Sequence, residues 1–172
     1  KIDIGKLSSE WIAEGSKFDS KASFLAAKLG QFSSTSGTLE PRDVVLYGFG
    51  RIGRLAAREL IKQAGKGQQL RLRAIVTRGA SDKDIVKRAA LLRSDSVHGA
   101  FKGSVVEDLE NKTLIINGQI VHMIDASNPE EVDYTKYGIN NALVIDNTGV
   151  YTNREALSKH MASKGVSKVL LT

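Results

Sequence analysis

From residue 43 onward, continuous apolar runs alternate along the chain with segments in which apolar positions recur every three or four residues. Short apolar runs are typical of buried parallel strands, and the longer periodic segments are typical of amphipathic helices. The predicted strands are 44–47, 70–77, 142–146 and 169–171, and the predicted helices are 51–64, 82–92 and 154–164. Ser81 or Asp82 is placed to cap the second helix. Strands that alternate with helices predict an α/β fold.

Two stretches depart from this alternation. Asn117-Gly118 stands between the apolar runs 113–116 and 120–124, which predicts an antiparallel hairpin inserted into the α/β domain. Before residue 40, Trp11, Phe18 and Leu25 are seven residues apart, a spacing that suits one or two amphipathic helices. Residues 33–37 have the composition of a linker. We therefore expect a helical extension with its linker over 1–40 and one main domain over 41–172.

Three glycines follow the first predicted strand, in the sequence G-F-G-R-I-G over residues 48–53. Gly48 permits a tight turn out of the strand, Gly50 lets a phosphate approach the backbone, and Gly53 lets helix and strand pack closely. The N–H groups of Arg51 and Ile52 open the next helix, whose positive dipole end attracts an anion. Three glycines in six residues also occur in ordinary turns, but the strand before them and the helix after them favour a dinucleotide site. The predicted fold is then a Rossmann-type, doubly wound, mainly parallel sheet with a hairpin insertion.

Composition narrows the functions that remain. The chain of 172 residues has no cysteine, which excludes disulfides, thiolate metal sites and a cysteine nucleophile within it. No metal is expected. The net charge of +6 comes from basic residues scattered among 19 acidic ones without a basic run, so we expect no nucleic-acid partner. No stretch approaches the roughly 20 apolar residues of a membrane span, and no signal peptide opens the chain, so a cytoplasmic protein is expected.

The end of the second predicted strand bears on cofactor choice. Sites that prefer NAD place a carboxylate there, on the hydroxyls of the adenosine ribose. Here the strand ends at Thr77 and Arg78, and an arginine at this point attracts a 2′-phosphate. We therefore predict that NADP is accepted alongside NAD. In the alternative interpretation Arg78 points to solvent, and Asp82 or Asp84 reaches the ribose from the start of the next helix.

Several separated motifs resemble the phosphorylating glyceraldehyde-3-phosphate dehydrogenase family. Residues 47–54 read Y-G-F-G-R-I-G-R and match seven of the eight positions of the N-G-F-G-R-I-G-R signature. Residues 92–99, L-R-S-D-S-V-H-G, are similar to the family's L-x-Y-D-S-x-H-G. Residues 146–152, D-N-T-G-V-Y-T, are similar to its E-S-T-G-x-F-T. The resemblance covers residues 42–172 and implies that this stretch is the N-terminal NAD(P)-binding domain.

The resemblance also implies which residues hold the cofactor. Gly50, Arg51, Ile52 and Gly53 would bind the pyrophosphate. Four further positions are implied around the bases and the nicotinamide ribose. Thr148 and Gly149 would border the nicotinamide, Ser127 would approach the adenine, and Thr172 would lie near the nicotinamide ribose. The family usually has Asp where this chain has Arg78, and Asn where it has Tyr47.

In this family a cysteine thiolate attacks the aldehyde, a histidine acts as base, and phosphate releases an acyl phosphate. Neither catalytic residue is expected within the chain, so we expect both beyond Thr172 and predict that residues 1–172 bind dinucleotide without dehydrogenase turnover. The chain starts without Met and ends within a strand pattern, which suggests trimming at both ends. A homotetramer is implied for the complete enzyme.

Alternative functions remain open. The complete protein acts on a related aldehyde such as erythrose 4-phosphate, or belongs to the semialdehyde dehydrogenases, if its substrate domain differs. If the protein is not an enzyme, it is a non-catalytic dinucleotide-binding module. The N-terminal extension outside the resemblance and the lack of cysteine favour this alternative. The histidines His98, His122 and His160 are predicted to be structural. Arg51, Arg54 and Arg58 share one side of a helix and are predicted to form a solvated or salt-bridged face.

Overall fold

A computed structural model describes residues 4–33, 41–64 and 69–172, with backbone alone for residues 31–33. These residues form two compact units, one over 4–33 and one over 41–64 with 69–172. The predicted linker from residue 34 and the glycines at 65 and 67 lie outside the described residues. Within the described residues, no helix is long and apolar enough to cross a membrane.

The first unit consists of two helices, α1 (Ile4–Glu14) and α2 (Lys21–Ser33), joined by a 3-10 turn. Phe24 is 2% exposed, and the rings of Trp11 and Phe18 meet it edge-on at centroid distances of 5.3 and 5.2 Å. The predicted helical extension is confirmed. Leu25, the third member of the seven-residue spacing, is 41% exposed, so the neighbouring Phe24 is the residue that closes the helix pair.

The second unit is a seven-stranded sheet with helices packed against it. Its strands are β1 (Arg42–Tyr47), β2 (Leu70–Thr77), the short pair β3 (Ser94–Asp95) and β4 (Gly99–Ala100), β5 (Val105–Asp108), β6 (Thr113–Ile116), β7 (Gln119–Asp125), β8 (Ala142–Asp146) and β9 (Val166–Leu171). Its α-helices are α3 (Arg51–Gln63), α4 (Asp82–Arg93) and α5 (Arg154–Ser158). Short 3-10 turns occupy Pro129–Glu131, Tyr134–Tyr137 and Lys159–Ala162.

The order of strands across the main sheet is β5-β6-β7-β2-β1-β8-β9. β1 pairs in parallel with β2 on one side and with β8 on the other, and β2-β7 and β8-β9 are also parallel. The predicted Rossmann-type fold is confirmed. Because β2 lies on one side of β1 and the later strand β8 lies on the other, the order in which the chain adds strands reverses at β1. Open α/β sheets bind ligands at the carboxyl ends of their strands at such a point.

The interior residues of β1 alternate between two apolar cores, which explains why the strand is a continuous apolar run. Val44 and Leu46 face the core shared with α3 and α4, whereas Val45 and Tyr47 face the core on the opposite side of the sheet. Ser81 caps α4 in a reciprocal capping box with Asp84, as its position predicted. Burial on both faces therefore holds β1 at the centre of the sheet.

The predicted hairpin is confirmed as β6 and β7, with Asn117 at φ 48° and Gly118 at φ 81° in its turn. The sequence prediction missed β5, which pairs antiparallel with β6. The predicted helix over 154–164 is α-helical only to Ser158 and continues as the 3-10 turn over Lys159–Ala162. That tighter turn includes His160, whose side chain is fully buried.

Candidate functional site

A cleft of about 400 Å³ lies at the carboxyl ends of β1, β2 and β8. It lies where the topology of the sheet places a ligand site. The residues that line it are Tyr47, Gly48, Phe49, Gly50, Val76, Thr77, Arg78, Arg88, Ala126, Ser127, Asn147, Thr148, Val150 and Tyr151. Gly48, Gly50, Arg78, Ser127 and Thr148 were predicted as site residues, and the structure brings these five together.

The three glycines of the turn differ in what surrounds them. Gly48 has a φ of +92°, and a Cβ on it would lie 2.9 Å from Cγ2 of Thr148. A Cβ on Gly53 would run into the carbonyl oxygen of Gly48. Gly50 differs, because no described residue other than its two chain neighbours comes within 4 Å of the place where its Cβ would stand. Packing therefore explains Gly48 and Gly53, and Gly50 leaves open space on the cleft.

The start of α3 opens beside that space. Gly50 is the N-cap residue of α3, and no side chain accepts a hydrogen bond from the N–H groups at this end of the helix. The first N–H groups of a helix have no partner within it and attract anions. Arg51 and Ile52, which follow Gly50, are exposed, while Gly53 is buried beneath them. These three predicted residues lie next to the cleft without lining it.

Asp146 holds the loop that forms the β8 side of the cleft. Its Oδ1 accepts hydrogen bonds from the backbone N–H of Thr148 at 2.8 Å and from the Thr148 hydroxyl at 2.7 Å. Its Oδ2 lies 2.8 Å from Nε2 of His160. Burial opposes the charged form, but the hydrogen bonds from His160 and Thr148 outweigh it and lower the pKa of Asp146. Asp146 thus fixes the position of Thr148.

Gly149 and Thr172 were also predicted as cofactor residues, and both lie outside the cleft lining. Gly149 follows Thr148 with a φ of +70° and is exposed. The Thr172 hydroxyl donates to the carbonyl of Asp146 at 3.1 Å and lies 3.3 Å from Oδ1 of Asn147. Thr172 is therefore tied to the end of β8, one residue away from the lining residue Asn147.

Two aromatic residues that line the cleft, Tyr47 and Tyr151, form a cluster with His160. The ring of Tyr47 meets the ring of His160 edge-on at 4.6 Å, and Tyr151 lies 6.3 Å from Tyr47 and 5.3 Å from His160. Burial raises the pKa of Tyr47, so its hydroxyl stays protonated. The substitution of Tyr47 for the family's Asn was visible in the sequence. Its contact with His160 was not, because the two residues come from separate elements.

At the end of β2, an arginine is exposed on the cleft while the neighbouring carboxylates are occupied. Arg78 is exposed and lines the cleft. Oδ1 of Asp125 accepts the backbone N–H of Gly79 at 2.7 Å, and Asp84 accepts from the N–H and the hydroxyl of Ser81. Asp82 pairs with Lys112. Neither Asp82 nor Asp84 lines the cleft, so the alternative in which one of them reaches the ribose has no support in this geometry.

The arginines of α3 agree in part with the predicted solvated or salt-bridged face. Arg51 is exposed, but Arg54 pairs with Asp95 at 3.4 Å with 15% of its side chain exposed. Arg58 donates to the carbonyl oxygens of Leu92 and Gly99 at 2.7 and 3.0 Å. Arg54 and Arg58 therefore tie α3 to the last turn of α4 and the segment after it, because Asp95 offers a carboxylate to Arg54, and Leu92 and Gly99 offer backbone carbonyls to Arg58.

The histidines have structural surroundings. Nδ1 of His98 lies 3.0 Å from Oδ1 of Asp95, outside the cleft lining. Burial, with the nearby charge of Arg73, lowers the pKa of His122. His160 packs behind Tyr47 and Tyr151, where solvent does not reach it.

The cleft fits a dinucleotide in three respects. Open space at Gly50 leads to the uncapped start of a helix, which suits a pyrophosphate. Apolar and aromatic residues such as Val76 and Tyr151 offer surface to a base, and Arg78 stands where a ribose is bound in such folds. Residues 42–154 match the family model described as "Glyceraldehyde 3-phosphate dehydrogenase, NAD binding domain". The chain belongs to the glyceraldehyde 3-phosphate dehydrogenase family.

Relatives of this oxidoreductase family agree with that assignment. A "Glyceraldehyde-3-phosphate dehydrogenase-like protein" of Pseudomonas aeruginosa is 47% identical over 173 residues, which cover 99% of this chain and 37% of the relative. The glyceraldehyde-3-phosphate dehydrogenase of Zymomonas mobilis is 33% identical over 75% of the chain and 35% of its own length. The chloroplastic enzyme of Guillardia theta is 31% identical over 92% of the chain. The chain thus spans little more than a third of these relatives, and its residues 42–154 correspond to the NAD-binding domain.

Several residues of the cleft were missed by sequence reasoning. Asn147, Val150 and Tyr151 lie inside the D-N-T-G-V-Y-T stretch that carried the resemblance, so their neighbour Thr148 was the available signal. Ala126 stands next to the predicted Ser127. Arg88 had no such signal, because it lies in the middle of an ordinary helical pattern.

Proposed function

We propose that this chain is the cofactor-binding part of a phosphorylating glyceraldehyde-3-phosphate dehydrogenase. The complete protein would oxidise the aldehyde and add phosphate to form an acyl phosphate. The observation that carries the proposal is the cleft at the ends of β1, β2 and β8, in a domain of this family. When bound, the nicotinamide cofactor supplies the hydride acceptor.

In this proposal the residues of the chain hold and orient the cofactor. The backbone around Gly50, Arg51, Ile52 and Gly53 binds the pyrophosphate at the start of α3. The adenosine and nicotinamide subsites take the remaining predicted residues. Ser127 and Arg78 serve the adenosine half, whereas Thr148, Gly149 and Thr172 serve the nicotinamide half.

We further propose that the site accepts NADP as well as NAD. Arg78 is exposed on the cleft at the end of β2, and the carboxylates near it are engaged by Gly79, Ser81 and Lys112. A carboxylate at this place would repel a 2′-phosphate, whereas a guanidinium attracts it. This arrangement supports an adenosine ribose that carries a phosphate.

The activity is tested with the complete protein, supplied with glyceraldehyde 3-phosphate, inorganic phosphate and NAD or NADP. Reduction of the cofactor that requires both substrates is expected. Erythrose 4-phosphate and semialdehydes serve as competing substrates, and faster turnover of either would replace the proposed substrate. Binding of dinucleotide without turnover of any aldehyde would identify a non-catalytic binding module instead. Residues 1–172 alone are expected to bind cofactor and show no turnover.

Cofactor preference is tested with Arg78→Asp in the complete protein. We expect NADP affinity to fall by about tenfold or more and NAD affinity to hold or improve, because the new carboxylate faces the ribose. Arg154→Asp makes the same charge change at an exposed residue outside the cleft and serves as the control. Tight binding of NAD by the unaltered protein without measurable NADP binding would exclude the NADP proposal.

Assembly and location are part of the same proposal. We propose that the complete protein is a homotetramer in the cytoplasm, by analogy with the family the chain belongs to. Light scattering on the purified complete protein measures its oligomeric state, and a dimeric or monomeric mass would contradict the tetramer. Fractionation of cells tests the location in the cytoplasm.

A further inference from the structure

Arg88 lies in the cleft but binds nothing that the structure describes. It belongs to α4, the helix that follows β2, and it lines the same cleft as Arg78. Its Nε is buried without a hydrogen-bond partner, as are those of Arg54, Arg58 and Arg73, but the terminal nitrogens of those three donate to acceptors. The pKa of Arg88 is lowered by burial, which Asp84 opposes and Arg54 reinforces. A partly buried guanidinium without an acceptor is costly, so its place in a cleft calls for an anion.

The other partly buried arginines all have acceptors. Each donates from its guanidinium to a carboxylate, a hydroxyl or a backbone carbonyl, and these residues are Arg42, Arg54, Arg58, Arg71, Arg73 and Arg93. Within residues 4–33, 41–64 and 69–172, Arg88 is the partly buried arginine that lacks one. Its lack of a partner is therefore particular to the cleft and is not a general feature of this protein.

The charge of the cleft indicates which anion fits. Among the described residues, the lining contains the guanidinium groups of Arg78 and Arg88 and no carboxylate. A pyrophosphate is already provided for at the start of α3, where backbone N–H groups are free to receive it. Two further guanidiniums match a phosphate monoester, which carries a charge of about −1.5 to −2 near pH 7 and has three acceptor oxygens.

We propose that Arg88 is a specificity-determining residue that donates, together with Arg78, to the 2′-phosphate of NADP. The proposal rests on the function proposed above and adds a second residue to the cofactor preference. α4 begins five residues after β2 ends, and its Arg88 side chain reaches the cleft that the end of β2 lines. Two guanidiniums from successive elements would then hold one phosphate.

The test compares Arg88→Met and Arg88→Lys with Lys87→Met in the complete protein. Lys87 is the exposed neighbour of Arg88 on the same helix and lies outside the cleft lining, so its replacement removes an equal charge. Calorimetric titrations with NAD and with NADP are run at one fixed salt concentration. We expect Arg88→Met to weaken NADP binding by about ten- to hundredfold and to leave NAD binding within about twofold. The NADP affinity of Arg88→Lys is expected to lie between those of the unaltered protein and Arg88→Met. Lys87→Met is expected to change neither the NADP nor the NAD affinity.

Two outcomes would overturn the proposal. Equal loss of NAD and NADP affinity in Arg88→Met would mean that Arg88 serves the pyrophosphate or the fold. Unchanged NADP affinity would mean that it holds no phosphate. Retained NAD binding reports that each variant is folded. If the unaltered protein binds NADP and the Arg88→Met variant binds it equally well, this inference fails and the proposed NADP acceptance stands. If the unaltered protein binds NAD and no NADP, the proposed NADP acceptance fails, and the inference about Arg88 fails with it.

Discussion

Nε2 of His160 lies 2.8 Å from Oδ2 of Asp146, and both side chains are fully buried. The other oxygen of Asp146 holds Thr148, whose methyl group lies 2.9 Å from the place where a Cβ on Gly48 would stand. The buried pair thus helps to position Thr148, which lines the cleft together with Gly48. Its effect is on the shape of the site.

His160→Leu is expected to lower the free energy of unfolding by about 3 kcal/mol, because it leaves a buried carboxylate without its main partner. Urea unfolding followed by circular dichroism measures the change. His98→Leu is the matched control. Asp95 keeps the backbone N–H groups of Val97 and His98 and also the Arg54 guanidinium, so that variant should lose no more than about 1 kcal/mol. Equal losses in the two variants would contradict the role assigned to His160.

Gly50→Ala and Gly53→Ala are expected to fail in different ways. The Gly53 substitution drives a methyl group into the carbonyl of Gly48 and should cost about 1–3 kcal/mol of stability or more. The Gly50 substitution meets no described residue beyond its chain neighbours, so it should cost no more than about 1 kcal/mol while weakening dinucleotide binding at least about tenfold. Chemical unfolding and cofactor titration of both variants separate the two effects. A Gly50 variant with normal cofactor affinity would contradict a phosphate beside this residue.

The protein is expected to lose stability in acid partly through Asp95. Hydrogen bonds from the His98 backbone and side chain and the Val97 backbone hold the pKa of Asp95 well below its usual range. A carboxyl whose pKa is lowered by folding stabilises the protein above the unfolded pKa of about 3.9, and that stabilisation is lost as pH falls toward the folded value. Urea unfolding between pH 3 and pH 6 should therefore show a gap between wild type and Asp95→Asn that narrows below about pH 4. A gap that does not vary with pH would contradict this.

Trp11 provides a signal for the two-helix unit, since it is the single tryptophan of the 172-residue chain. Phe24→Ala removes the ring between Trp11 and Phe18 and should cost about 3–5 kcal/mol. The free energy of unfolding of a unit of this size is only a few kcal/mol. We expect Trp11 emission to shift to longer wavelength while the sheet retains its circular dichroism. Leu25→Ala, at a 41% exposed residue on the same helix, should leave the emission unchanged.

Much of the fold was predictable because the signals were local. The apolar run of β1, the capping box at Ser81 and the Asn117-Gly118 turn each depend on residues within a few positions of one another. β5 was missed because its four residues carry no periodic signal of their own and are paired only through β6. The helix after Asn153 was predicted too long, since its last turn tightens around the buried His160.

The sequence by itself determined the turn at Gly48, the start of α3 at Gly50 and the family to which the domain belongs, because short spacings and local backbone preferences carry that information. The tertiary structure alone decided which distant side chains meet. It brought His160 to Asp146 and Arg88 to the cleft that Arg78 lines. Burial and the distances between side chains on separate elements depend on how those elements pack, and no spacing along the chain encodes them.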